Sequence, residues 1–218
     1  MIQAEHSKIA RLIFNPYINK LLRKSFTNFY LVNKLPDIPE NKSLIITPNH
    51  ISWWDGFFID FVARKFIDKK LHLMMLESSL KKYWFFKKLG CYSITPENKQ
   101  SVLETTKYTR KILSDPNNFV ITYPQGEIEP FEKRPLQIKE GLKLFLNENP
   151  KNIIVLPVGF KIQYYNEKNP SVICRFGNTI ESQSILNDFS TFENEFIKNL
   201  DILQNASFTK DFYRDILK

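Results

Sequence analysis

Pro48-Asn49-His50-Ile51-Ser52-Trp53-Trp54-Asp55-Gly56 is the stretch on which the fold turns. Just before it, residues 43 to 47 carry the apolar run Leu44, Ile45 and Ile46, the pattern of a short buried strand. Just after it, residues 54 to 66 read as a helix rich in aromatics. Pro48 and Asn49 punctuate the junction, and Asn49 reads equally as an ordinary helix cap. Residues five apart do not share a face of a continuous helix. His50 and Asp55 can therefore meet only if His50 sits on the turn and Asp55 in the first helical turn. In that geometry the carboxylate fixes the tautomer of the imidazole and leaves the other ring nitrogen as a base.

Working outward toward the N-terminus, residues 35 to 42 with Pro36 and Pro39 form a linker, and residues 7 to 31 form an amphipathic stretch. Ile9, Leu12, Ile13, Tyr17, Leu21 and Phe29 recur at three- and four-residue steps among Lys8, Arg11, Lys20, Arg23 and Lys24. This is one basic helix, or two broken near Pro16. It suits either a membrane interface or the surface of its own domain. Residues 1 to 34 are accordingly taken as an N-terminal helical segment and 35 to 218 as the main domain.

Toward the C-terminus, strands are expected at 71–76, 91–95, 119–123, 153–165 (interrupted at Pro157) and 171–176. Helices are expected at 79–88, 100–113, 140–149 and from Asn187 onward, the last with Phe189, Phe192, Phe196, Leu200 and Leu203 as its inner stripe. His72 reads as a core or edge residue. Strands alternating with helices indicate an α/β single domain with a central mixed, largely parallel sheet. Tyr123-Pro124-Gln125-Gly126-Glu127 is a turn whose amides can face an anion or an oxyanion. Lys133, Arg134 and Lys139 follow it as a basic cluster.

The chain has 218 residues and a formal charge of +8, from 31 Lys+Arg against 23 Asp+Glu. That balance favours an anionic partner such as an anionic membrane surface or a phosphorylated or acidic carrier. No helix-turn-helix, zinc-finger or RNP-like pattern accompanies the charge, so no nucleic-acid partner is expected. Cys91 and Cys174 stand alone, which argues against a disulfide framework or a structural zinc. No signal peptide and no uncharged run of membrane-spanning length is visible, so the expected location is cytoplasmic, peripheral on the inner face of the cell membrane.

Four blocks in order resemble the phospholipid and glycerolipid acyltransferases of the lysophosphatidic-acid acyltransferase type. They are Asn49-His50 with Asp55; Gly90-Cys91-Tyr92-Ser93-Ile94; Tyr123-Pro124-Gln125-Gly126-Glu127-Ile128; and Leu156-Pro157-Val158. The resemblance spans roughly residues 40 to 180. It implies an O-acyltransferase in which His50, oriented by Asp55, deprotonates a lipid hydroxyl that attacks the thioester of acyl-CoA or acyl carrier protein. It implies no metal, no further cofactor and no covalent acyl-enzyme. Backbone amides near Gly126 would hold the oxyanion, and Tyr123, Pro124, Gln125, Gly126, Glu127, Arg134 and Lys139 would contact substrate. Trp53, Trp54, Phe57, Phe58 and Phe61 are candidate linings of an acyl tunnel.

The blocks also depart from the family pattern. Thr95-Pro96 stands where an arginine is usual, and Gln125, Glu127 and Ile128 replace glutamate, threonine and arginine. Isoleucine cannot make a charge-assisted bond to a phosphate. Either Lys99, Arg134 or Lys139 supplies that charge, or the acceptor is a lipid alcohol without a phosphate monoester, the reading preferred. A non-catalytic lipid- or carrier-binding module on the same fold is the alternative.

Overall fold

The computed structural model describes residues 1–146 and 152–218. Its central strand is β2 (Ser43–Pro48), buried at every position. A strand inside a parallel sheet is covered on both faces, which is why its sequence runs apolar without alternation. β3 (Lys70–Leu76), β4 (Cys91–Ile94) and β5 (Asn118–Ile121) lie on one side of it, all parallel. On the other side, β6 (Ile153–Gln163) pairs parallel with β2 and antiparallel with β7 (Ser171–Phe176). β1 (Phe29–Leu31) and β9 (Arg214–Asp215) extend that edge, and β8 (Ile180–Glu181) pairs with the start of β6. The order is β4-β3-β5-β2-β6-β7-β1-β9.

Helices cover both faces. α1 (Lys8–Ser25) and α2 (Asp55–Phe66) lie on one, burying Ile18, Leu22, Phe58 and Phe61 against the sheet. α4 (Lys99–Leu113), α5 (Lys143–Leu146), α6 (Ser182–Asn187) and α7 (Ser190–Thr209) cover the other. The α7 stripe Phe192, Phe196, Leu200 and Leu203 is buried, as its spacing requires. α3 (Glu77–Lys82) follows β3 directly. Asn98 caps α4 by accepting from the Ser101 amide at 3.0 Å.

Several expectations are corrected. The amphipathic helix ends at Ser25, and Phe29–Leu31 become β1 because they find parallel partners at Val172, Ile173 and Cys174. Pro16 lies inside α1, which is a single helix. Residues 79–88 do not form one helix: α3 stops at Lys82, and a 3-10 helix spans Trp84–Leu89 before Gly90 turns with φ 100°. A Cβ on Gly90 would run into the Leu71 carbonyl and the His6 ring. β6 is unbroken at Pro157, which falls between its pairing with β8 and its pairing with β7. The expected helix at 140–149 begins as a 3-10 turn, Glu140–Leu142, then α5; its residues 147–149 lie outside the described residues.

The first seven residues form a strap along the β4 edge. Ile2 and Ser93 exchange bonds, the Ile2 amide donating to Ser93 Oγ at 2.7 Å and the Ser93 amide to the Ile2 carbonyl at 2.9 Å. Glu5 and Ser7 amides donate to the Lys87 and Lys88 carbonyls. His6 inserts beside buried His72, ring nitrogens 3.4 Å apart.

Candidate active site

β2 ends at Pro48, and the chain leaves the sheet through Asn49. Its backbone amide donates to the Val158 carbonyl. Its carboxamide donates to the Phe160 carbonyl at 2.9 Å and accepts the Phe160 amide at 2.7 Å. The side chain thus completes the β6 ladder in place of a peptide group, and Asn49 is not a helix cap. With the ladder closed, the backbone is released to turn, and His50 stands at the C-terminal end of the parallel strands.

Asp55 begins α2 and is fully buried. Its Oδ2 accepts His50 Nδ1 at 2.8 Å and the amides of Ile51 and Ser52 at 2.7 and 2.9 Å; Oδ1 accepts Ser52 Oγ at 2.8 Å. A carboxylate at a helix N-terminus is also favoured by the macrodipole. Since Asp55 accepts, Nδ1 carries the proton and the Nε2 lone pair is left as a base. The Tyr123 ring stacks on the imidazole, centroids 4.3 Å apart. Burial first, then the Asp55 charge, pushes the Tyr123 phenol well above its ordinary pKa and keeps it neutral.

His50 borders a cavity of about 730 Å³. Leu71 and Leu76 both line it. They are five strand steps apart, so it runs about 17 Å along β3. Its walls draw on both cores: Phe57, Leu73 and Phe86 from the α1/α2 side, Met74, Leu142 and Phe145 from the α4/α5 side. The polar lining groups include the Arg11–Asp60 ion pair, Glu127 and Lys139. Of the aromatic residues expected to line a tunnel, Trp53 and Phe57 do; Phe58 and Phe61 are core, and Trp54 packs on that core.

Tyr123, Pro124, Gly126, Glu127 and Lys139 all border the cavity. Tyr123 to Gly126 is a turn closed by the Gly126 amide on the Tyr123 carbonyl at 3.1 Å. That amide is committed to the turn rather than free for an oxyanion. Gly126 has φ 76°, and a Cβ there would lie 2.7 Å from Lys139 Nζ. The glycine is what lets the ammonium lie across the turn. Lys139 has no ion pair among the described residues, and its backbone amide docks on the Pro124 carbonyl at 2.9 Å. Gln125 and Arg134 stand outside the cavity wall. Gln125 is buried and accepts the His50 amide at 2.7 Å. Arg134 pairs with Asp201 and caps the Phe131 and Lys133 carbonyls. Lys99 is exposed and lies off the cavity.

Two side chains that hold the surroundings of the His50–Asp55 pair carry no role in the sequence reading. The Ser52 hydroxyl donates to Asp55 Oδ1, and Glu129 is a buried carboxylate that accepts from Gln125 behind His50. Ser52, three residues before Asp55, carried a local capping signal; Glu129 carried none.

The His50–Asp55 pair stands at the strand ends of a largely parallel sheet and borders a mostly apolar cavity, the place where open α/β sheets bind their ligands. The Acyltransferase family model matches residues 30–161, more than half of the chain, and the chain belongs to that family; it is an acyltransferase. Among solved structures, the 1-acyl-sn-glycerophosphate (LPA) acyltransferase PlsC from Thermotoga maritima shares the fold, with TM-score 0.61 at 14% identity over 88% of this chain and 78% of that one. No curated protein matches the sequence.

Proposed function

We propose that the protein transfers a fatty acyl group from a thioester, acyl-CoA or acyl carrier protein, to the hydroxyl of a lipid at a membrane surface. The observation that carries this reading is the Asp55-oriented imidazole at the border of a long apolar cavity. His50 Nε2 takes the hydroxyl proton as the oxygen attacks the thioester carbonyl. The tetrahedral intermediate collapses, the carbon–sulfur bond breaks, and the imidazolium returns the proton to the leaving thiolate. Asp55 stabilises the imidazolium that forms in between. The acyl chain lies among Leu73, Phe57 and Phe86. The Lys139 ammonium is the group placed to meet negative charge, either on the oxyanion or on a substrate.

The acceptor is read as a lipid alcohol without a phosphate monoester. Glu127 and exposed Ile128 border the cavity where family members carry threonine and arginine, and Arg134 is engaged with Asp201. A dianion there would meet one lysine offset by one glutamate. The Thermotoga protein is named for a phosphate-bearing acceptor, so lysophosphatidic acid is the discriminating comparison.

Membrane docking is ascribed to α1. It exposes Ile9, Leu12, Ile13 and Tyr17, with Trp84 alongside; Phe14 stacks on Phe85 to join the two segments. Lys8, Lys20, Arg23 and Lys24 share the helix, and Lys81 and Lys82 end α3 nearby. Apolar side chains ringed by lysine and arginine suit the inner, anionic leaflet. No helix among the described residues is long and apolar enough to cross a membrane.

The test is thiol release from long-chain acyl-CoA and acyl carrier protein, with and without lipid extract, for wild type and His50→Ala. Release requiring extract and His50 is expected. Full turnover with lysophosphatidic acid alone would refute the acceptor reading, and full turnover by His50→Ala the mechanism.

A further inference from the structure

His50 is gripped by its backbone as well as its ring. The Gln125 side-chain carbonyl accepts the His50 amide at 2.7 Å, and the Gln125 amide group donates to Glu129 Oε2 at 3.0 Å. The Glu129 backbone amide closes the circle by donating to the His50 carbonyl at 2.9 Å. Glu129 Oε1 pairs with Lys133. Gln125 and Glu129 are only 2% and 3% exposed, and neither borders the cavity. Their bonds reach His50 and each other, not a substrate.

We propose that Gln125 and Glu129 form a positioning brace for His50, in which the Glu129 carboxylate dictates which way the Gln125 carboxamide faces. The inference rests on the acyl-transfer reading of His50 given above. A carboxamide is nearly symmetric in shape, and only its partners decide where oxygen and nitrogen lie. Here one partner is a donor, the His50 N–H, and the other an acceptor, the Glu129 carboxylate. Only one orientation satisfies both, and the reverse leaves four polar groups opposed in a dry site. The groups facing Glu129 are Lys133 on its own loop, Gln125, and Lys139 at longer range; Lys133 first and Gln125 second hold its carboxyl below the usual range. Glu129 is therefore charged in the working protein, and position 125 must offer it a donor.

The brace makes a specific pattern of substitutions testable. Gln125→Glu keeps the acceptor for His50 but sets a second carboxylate against Glu129. The double variant Gln125→Glu/Glu129→Gln rebuilds every bond, with donor and acceptor exchanged only between positions 125 and 129. In the thiol-release assay, kcat of Gln125→Glu is expected to fall about tenfold or more at pH 8 with little change in KM. The deficit shrinks toward pH 6 as the two facing carboxylates come to share a proton. The double variant returns to within about threefold of wild type.

Hydrogen exchange of the His50 amide, read by NMR without substrate, is expected to accelerate about tenfold or more in Gln125→Glu and to slow again in the double variant. A double variant no better than Gln125→Glu in both readouts overturns the brace, as does Gln125→Glu matching wild type at every pH. Wild type that releases no thiol with any donor refutes the function reading instead, and the exchange measurement then decides the brace alone. Should Gln125→Glu fail to fold, a double variant that folds and exchanges like wild type supports the brace, and one that does not refutes it.

Discussion

Replacing Asp55 with Asn removes one charge and little else. The asparagine oxygen can occupy the Oδ2 position, keeping the His50 Nδ1 bond and the Ile51 and Ser52 amides, while its nitrogen faces Ser52 Oγ, a hydroxyl able to accept. Stability should change by only a few degrees of Tm. What is lost is the attraction between the carboxylate and the imidazolium that forms as the hydroxyl proton is taken. Two unit charges about 4 Å apart interact by about 4 kcal/mol at an effective dielectric near 20. The imidazole side chain is 24% exposed, which screens part of this, and the retained neutral hydrogen bond returns some of the rest. A loss of about 3 kcal/mol remains, or about 10²-fold in kcat. The assay is initial-rate thiol release at saturating donor and acceptor, with a melting curve on the same sample. Asp55→Asn that melts like wild type and turns over within about fivefold of it would refute the role given to the carboxylate.

Leu12→Glu/Ile13→Glu should leave Tm unchanged, since both side chains are exposed, and should cut partitioning into anionic vesicles about tenfold or more by co-sedimentation. Leu73→Trp fills the cavity beside β3 and should shift the preferred thioester toward shorter chains; an unchanged chain-length profile would exclude Leu73 from the acyl site. The His6–His72 contact makes the N-terminal strap acid-sensitive. Burial, above all, lowers His6 to about 3 and His72 to about 4, with Lys70 opposing protonation of both and Arg11 that of His6. Both are neutral in the fold but bind protons below about 6.5 when unfolded, so their contribution is complete above that pH and fades as pH falls toward 4 and 3. Amide protection at Glu5 and Ser7, taken relative to the intrinsic exchange rate at each pH, should fall from pH 7.5 to 5, and His72→Gln should flatten that fall.

The part of the fold written in short-range pattern was legible. An apolar run, a proline-bearing turn and an aromatic helix gave β2, the His50 turn and α2 to within a residue or two. The His50–Asp55 contact followed from their spacing across that turn. Elements made by distant partners were not legible. Phe29–Leu31 continues the apolar period of α1 and becomes strand only because β7 and β9 flank it. The C-terminal helix breaks at Asp188, which takes the Ser190 amide and hydroxyl, and residues 214–215 return to the sheet edge. Gln125 and Gly126 were expected to serve substrate because the turn carrying them is local. The Gln125 bond to His50 depends on how the turn packs, which spacing does not encode, whereas Gly126 does border the cavity. Lys139 was named beside Lys99 and Arg134 as a source of positive charge, and only the fold separates it from them.

Asn49 separates two kinds of descent that the catalytic residues alone cannot. Its carboxamide stands in for a peptide unit, giving and taking one bond each with Phe160. Asp could take but not give, and Leu could do neither. The demand is architectural, imposed by a chain leaving a sheet, and is indifferent to whether His50 ever receives a proton. A relative that has abandoned the chemistry is then free to lose His50 while keeping Asn49, whereas one that has lost both has altered the exit from β2 itself. Reading the two positions separately distinguishes a retired enzyme from a different scaffold.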